Sequence, residues 1–314
     1  MFSTAKLSAR LSGNVRRRGA FSRAALADYD KWYEDNSIQA MQSIAAAIFV
    51  DILGFADLVE ENDDAVSYLD AFRGPDRDGP LSTLEVRYLA FQAVLDNAVD
   101  RKIQNRDLRA IVFSDSAFII FEEDEFTSNT AGDVGHALHF ASLLMREMLA
   151  AGVPVRMGIG SGSFRGLRFR SDGDPGRSVS IHAAQFLGTA IVRAHRAESC
   201  GLPGMRIFLH PTIPLDALRG NEDRLLPISS DSSRLRTPVA HELIYLHRPG
   251  DKGWWAWNNE PVKPSTTNWK MLQGIFGMRD RAPPSRVYHY AETLASIERA
   301  RQHLRLPMIT ESDP

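Results

Sequence analysis

Ser43–Ile52 reads SIAAAIFVDI, and Gly54-Phe55 follows almost at once. The apolar stretch Ile44–Val50 is too short for a core helix and is closed by a glycine turn, so it reads as a buried strand. Asp51 therefore sits at the far end of a rigid apolar mount, with a sharp turn behind it. Any fold this chain adopts must cover that strand and accommodate a carboxylate at its tip.

The rest of the sequence supplies the cover. Apolar runs Ala110–Phe113 and Ala117–Phe121 flank Ser114-Asp115-Ser116 and predict a hairpin with Asp115 at its tip. Helix spacing runs over Ala56–Phe72 through Leu58, Val59, Val66, Leu69 and Phe72. The residues Leu84, Tyr88, Phe91, Leu95 and Val99 fall on one face of a second helix. A third covers Val134–Ala150 and is stopped at Gly152, a fourth covers Ala183–Ser199, and a last runs from about Arg286 to Leu304. Val153–Ile159 and Met205–Leu209 read as strands, and HELIYL and GWWAW are strand-like. The order β-α-α-β-β-α-β-α-β mixes hairpins with helical crossovers, which predicts an α+β sheet with helices packed on one face.

Composition narrows the function classes. With 314 residues, 44% hydrophobic and 24% charged, the chain suits one large domain or two small ones. A net charge of −2 gives no global signal for nucleic acid or membrane, and no apolar run reaches the roughly 18 residues of a bilayer span. Cys200 is the only cysteine, so no internal disulfide can form and a reducing cytoplasm is expected. Residues 1–23 carry Lys6, Arg10, Arg16, Arg17, Arg18 and Arg23 without one acid. This is a solvated lead-in, with a transit peptide or an electrostatic arm as alternatives.

Asp51 and Asp115 each end an apolar strand at a turn. If the two strands are neighbours, the carboxylates converge at one sheet edge and repel unless a cation sits between them. Hard oxygen donors suit Mg²⁺ or Mn²⁺, which bind one or two carboxylates plus substrate phosphates. Gly54 allows the backbone to turn tightly enough for a phosphate to approach. The alternative is that both aspartates serve turn chemistry alone.

In ordered motifs the chain resembles the class III nucleotide cyclase family. FVDILGF matches the family's Asp-Ile strand end with Gly-Phe behind it, and FSDSAFIIF matches its hairpin, with Ser114 where the family has glycine. VPVRMGIGSGSFRG, GTAIVRAHR and MRIFLHP match the third, fourth and closing motifs, so the match spans about residues 44–211. The resemblance implies a ferredoxin-like, palm-like mixed sheet paired head to tail as a homodimer, with active sites at the interface. It implies residues 1–40 as lead-in, 41–250 as catalytic domain and 251–314 as a C-terminal helical extension. It also implies that Asp51, Asp115 and the Ile52 carbonyl hold two divalent cations, Mn²⁺ or Mg²⁺, that Gly54 and Phe55 make room for the triphosphate, and that Arg196 serves the transition state from the partner subunit.

Three positions depart from the family pattern. Val192 replaces the ribose-orienting asparagine, and Ile111 and Gln185 replace the adenine-reading lysine and aspartate. A site without that pair cannot read adenine in the usual way. Gln185 both donates and accepts, so it could pair with a pyrimidine edge. This pattern resembles the pyrimidine cyclases of bacterial Pycsar anti-phage defence, whose cyclic UMP or cyclic CMP activates a separate TIR or transmembrane effector. UTP is the expected substrate, with CTP open; a purine cyclase and an inactive cyclase-fold regulator are the alternatives.

Other features are weaker. GIGSGSFRG lacks both dinucleotide and P-loop register and reads as the turn after a core strand. Arg165, Arg168 and Arg170 are triphosphate candidates or an exposed basic hairpin. His136 and His139 fit packing or surface better than a metal, Trp254, Trp255 and Trp257 fit core or interface, and the acids Asp57 to Asp64 fit a solvated face. No Gly-Gly-Asp/Glu-Glu-Phe hairpin marks a diguanylate cyclase.

Overall fold

The computed structural model describes residues 43–61, 83–103, 108–122, 130–168, 184–229, 233–251 and 264–309. Among these, β1 (Ser43–Ile52) runs as predicted into the Gly54 turn and α1 (Phe55–Glu61). Then follow α2 (Thr83–Ile103), β2 (Leu108–Phe113), β3 (Ser116–Glu122), α3 (Thr130–Ala150), β4 (Val155–Arg168), β5 (Ala184–Leu187) and α4 (Thr189–Glu198). β6 (Ile207–Leu209), β7 (Leu225–Pro227), β8 (His241–Leu243), α5 (Pro264–Arg279) and α6 (Val287–His303) complete the order. The main sheet has the order β2-β3-β1-β4-β6-β8-β7, with β5 paired to the far half of β4. Only the β4–β6 pair is parallel among the described pairings. This is the expected α+β mixed sheet.

β1 is a central strand covered on both faces. Its even positions, Ala46, Ile48, Val50 and Ile52, join α2 and α3 through Phe91, Leu95, Leu138, Ala141 and Met145. Its odd positions, Ala45, Ala47 and Phe49, meet Phe118, Ile120 and Phe164 and the α4 residues Ala190, Ile191 and Ala194. The expectation of helices on one face is thus corrected: α4 packs opposite α2 and α3.

The GIGSGSFRG stretch is also not a turn. It lies inside β4, and the cross-strand register sets Gly162, Gly160 and Gly158 opposite Ala45, Ala47 and Phe49. With alanines on α4 facing them, these positions let the helix backbone approach the strand closely. A β-carbon on Gly158 would lie 2.1 Å from the Ala194 carbonyl oxygen, and one on Gly160 would lie 2.5 Å from the Ala194 nitrogen. The glycines serve helix packing.

One further expectation changes. The predicted helix Ala183–Ser199 is β5 followed by α4, with Gly188 between them. α5 lies within the expected C-terminal helical extension; Met271 and Ile275 bury it in the main core, and α6 adds Tyr290 and Ile297 to the same cluster. Gln42–Pro314 form one compact unit. Residues 1–42, Arg170, GWWAW with its tryptophans, and the 62–72 part of the first predicted helix lie outside the described residues.

Gly158→Ala should cost about 1–3 kcal/mol or more, because the clash is with helix backbone rather than a mobile side chain. Chemical denaturation checks this; an unchanged midpoint would mean α4 does not sit this close.

Candidate active site

At the C-terminal end of β1 the register places Asp51 opposite Ser116 on β3 and opposite Arg156 on β4. Ser114 and Asp115 form the two-residue link between β2 and β3, and Ser114 adopts φ 39°. That left-handed backbone favours glycine; a serine there bears a cost on the order of 1–2 kcal/mol. The link is pinned to β1 by the Ile52 N–H, which donates to the Asp115 carbonyl at 3.0 Å. Leu53 N–H donates to the Pro154 carbonyl at 2.8 Å, fixing the start of the turn on the β4 side. Gly54 then takes φ 71°, a conformation in which a side chain would be strained.

The two aspartates therefore lie close enough for the charge of Asp115 to act on Asp51. Burial pushes the Asp51 carboxyl up to about 7, the charges of Glu198 and Asp115 push the same way, and Arg156 opposes them. Burial and the two neighbouring carboxylates thus outweigh Arg156 in their effect on Asp51. A divalent cation fits such a site, and its oxygen donors are of the kind Mg²⁺ and Mn²⁺ prefer. No group of three His, Cys, Asp or Glu side chains suited to a metal occurs among the described residues. A metal held here would therefore need phosphate oxygens and water beside the two carboxylates.

Glu198 and Arg156 are the residues the sequence reading missed. Arg156 Nε donates to Glu198 Oε1 at 2.6 Å and its Nη2 lies 2.5 Å from the same oxygen. The Ser199 hydroxyl donates to the other oxygen of Glu198 at 2.9 Å. Glu198 is buried, and this pair ties the C-terminal end of α4 to the strand beside Asp51. The signal in the sequence was Arg156 itself, a charge inside the apolar run VPVRMGI that needs a buried partner.

The remaining predicted site residues are spread over both faces of the sheet. Ile111 pairs with Phe118 on β3 and packs half-buried against the α4-side core. Gln185 lies on β5 opposite Leu167. Val192 and Arg196 are exposed on α4, Val192 at 48%. Burial, then the charges of Arg193 and Arg196, lower the His210 pKa. Phe55 is buried beside Tyr88, ring centroids 6.3 Å apart, and so anchors the turn from beneath. Arg165 is exposed, Arg168 lies on β4, and His136 and His139 are half-buried on α3.

No protein-family model matches the chain, and no curated protein sequence matches it. Solved structures to which it is similar include the adenylyl cyclase CyaB from P. aeruginosa, at 16% identity and TM-score 0.43, over 68% of this chain and 98% of that one. The guanylate cyclase domain of RhGC from Catenaria anguillulae, in complex with GTP, gives 16% and 0.40 over 64% and 94%. A bacterial light-regulated adenylyl cyclase gives 12% and 0.40 over 74% and 99%. Likenesses this distant do not say what the chain does.

The raised Asp51 pKa has a sign that can be measured. The fold favours the neutral carboxyl, so metal-free stability contributed by this group falls as pH rises from 3.8 toward 7. Asp51→Asn should flatten that part of the stability profile and melt higher than wild type at pH 8 without metal, while Mn²⁺ should stabilise wild type more than the variant. Superimposable pH profiles would contradict the charge assignment.

Proposed function

We propose that the protein is a nucleotide cyclase that converts UTP, or CTP, to the 3′,5′-cyclic monophosphate and pyrophosphate. The observation that supports this reading is that Asp115 is tied to the strand end beside Asp51 at a glycine turn, where burial and neighbouring carboxylates oppose ionisation of Asp51. The ordered motif resemblance supplies the reaction class.

Asp51, Asp115 and the Ile52 carbonyl would hold two divalent cations, Mn²⁺ or Mg²⁺. When bound, these supply Lewis-acid activation of the α-phosphate and neutralise charge on the leaving group. The chain's own residues orient the nucleotide: the Gly54 turn gives the triphosphate access to the backbone, and Phe55 holds that turn from the core. The ribose 3′-oxygen forms the new bond to the α-phosphorus, the bond to the β-phosphate oxygen breaks, and the 3′-hydroxyl proton leaves to solvent.

Arg196 is exposed on α4, so it would act in a head-to-tail homodimer. The partner subunit's Arg196 would then meet the charge that builds on the α-phosphate. Exposed Leu187 (64%) and Val192 (48%) near it are apolar surface that such a partner would cover. Ile111 and Gln185 stand where a purine cyclase carries its base readers, and an amide that both donates and accepts suits a pyrimidine edge. In the cell the product would be an anti-phage messenger read by a separate TIR or transmembrane effector, with the cyclase itself in the cytoplasm. Among the described residues no helix is long and apolar enough to cross a membrane.

Incubation with each of the four nucleoside triphosphates and Mn²⁺ should yield a cyclic pyrimidine monophosphate; cyclic AMP or cyclic GMP alone would overturn the base assignment. Asp51→Ala and Asp115→Ala should each abolish turnover. Arg196→Ala should cost on the order of 10²–10³ in rate, the usual loss for a transition-state charge donor. A rate unchanged in any of the three would remove that residue from the site.

A further inference from the structure

Beside the Gly54 turn lies a cavity of about 160 Å³ whose far wall is the C-terminal segment outside the motif-bearing region. A single water needs about 10–15 Å³ on that measure, so the space admits a much larger group. Leu53, Gly54 and Asp57 form one side, and Arg286, Tyr288 and His289 form the other.

Arg286 is placed with care by its surroundings. Its guanidinium lies against Gly54 so closely that a β-carbon there would stand 2.7 Å from Cζ. Its side chain is only 12% exposed, whereas that of its partner Asp57 is 62% exposed. Nε and Nη2 donate to the same Asp57 oxygen at 3.1 and 2.6 Å. Packing thus holds the cation, while the anion on it is a solvated surface carboxylate, a type of pair worth little and readily exchanged.

His289 adds a donor. Its Nδ1 accepts the Gly204 N–H at 3.1 Å, which leaves the proton of the neutral ring on Nε2. Burial, then Arg156 and Arg286, keep its pKa low, so the Arg156–Glu198 pair next to Asp51 lies within electrostatic reach of this cavity.

We propose that Arg286, assisted by His289, is a diphosphate-binding arm supplied by the chain's own C-terminal segment, and that Asp57 occupies its guanidinium until a diphosphate group displaces it. The group is either the β,γ end of a bound triphosphate or released pyrophosphate. That it serves the nucleotide rests on the cyclase reading; that it binds diphosphate does not.

The test is calorimetric titration of the full chain with inorganic pyrophosphate in EDTA and, separately, with 3′-deoxy-UTP in Mn²⁺. Arg286→Ala should weaken pyrophosphate binding about tenfold or more, the loss expected for a charge-assisted hydrogen bond. Asp57→Asn, which removes the competing anion and leaves Arg286 in place, should tighten it. Pyrophosphate affinity unchanged in Arg286→Ala, or unchanged or weakened in Asp57→Asn, overturns the proposal; if Arg286→Ala fails to fold, the Asp57→Asn result decides. Parallel losses for 3′-deoxy-UTP identify the substrate as the source. Pyrophosphate binding that depends on Arg286 without any 3′-deoxy-UTP binding upholds the arm and counts against the cyclase reading instead.

Discussion

The close seating of α4 on the sheet is the constraint from which the site follows. Gly158 and Gly160 on β4, with Ala45 and Ala47 on β1 and Ala190 and Ala194 on the helix, remove the side chains that would hold the two backbones apart. Only at this distance can Glu198, at the helix end, reach Arg156 on β4. Through that pair the helix sets the field around Asp51 and fixes which way Arg196 and Val192 face. A bulkier seam would move all of these together, without touching either aspartate.

The arrangement also divides work between the two faces of β1. Even positions carry the large core with α2 and α3 and make the strand immobile. Odd positions lead along the small-residue seam to Asp51, where packing gives way to charge. The metal-free site is a strained one: burial and two neighbouring carboxylates oppose the ionised form, and one arginine does not balance them. A cation bound beside Asp51 would relieve that opposition, because it would favour the ionised carboxylate.

Much of this was legible in the residues. The apolar run before Asp51 gave the strand, and the Ser-Asp-Ser interruption gave the hairpin, because both signals are local. The uninterrupted alternation-free character of Ile44–Val50 also marked a strand covered on both faces, a reading that would have corrected the one-sided helix layer. The glycines of GIGSGSFRG looked like a turn because glycine usually marks one; their spacing of two, matched to small residues on β1, was the strand signal. β5 was absorbed into the following helix because four residues carry too little periodicity to oppose a strong helical pattern. Glu198 looked like a helix surface residue, since only the tertiary approach to Arg156 buries it. Arg286 could not be linked to Gly54 at all, because the two lie more than 200 positions apart along the chain.

Crystals grown with Mn²⁺ and a non-cyclisable pyrimidine triphosphate, measured at the manganese absorption edge, test the central claim most directly. Anomalous density should stand between Asp51 and Asp115, about 2 Å from an oxygen of each. Density that touches only one of these carboxylates, or lies elsewhere on the molecule, would contradict it.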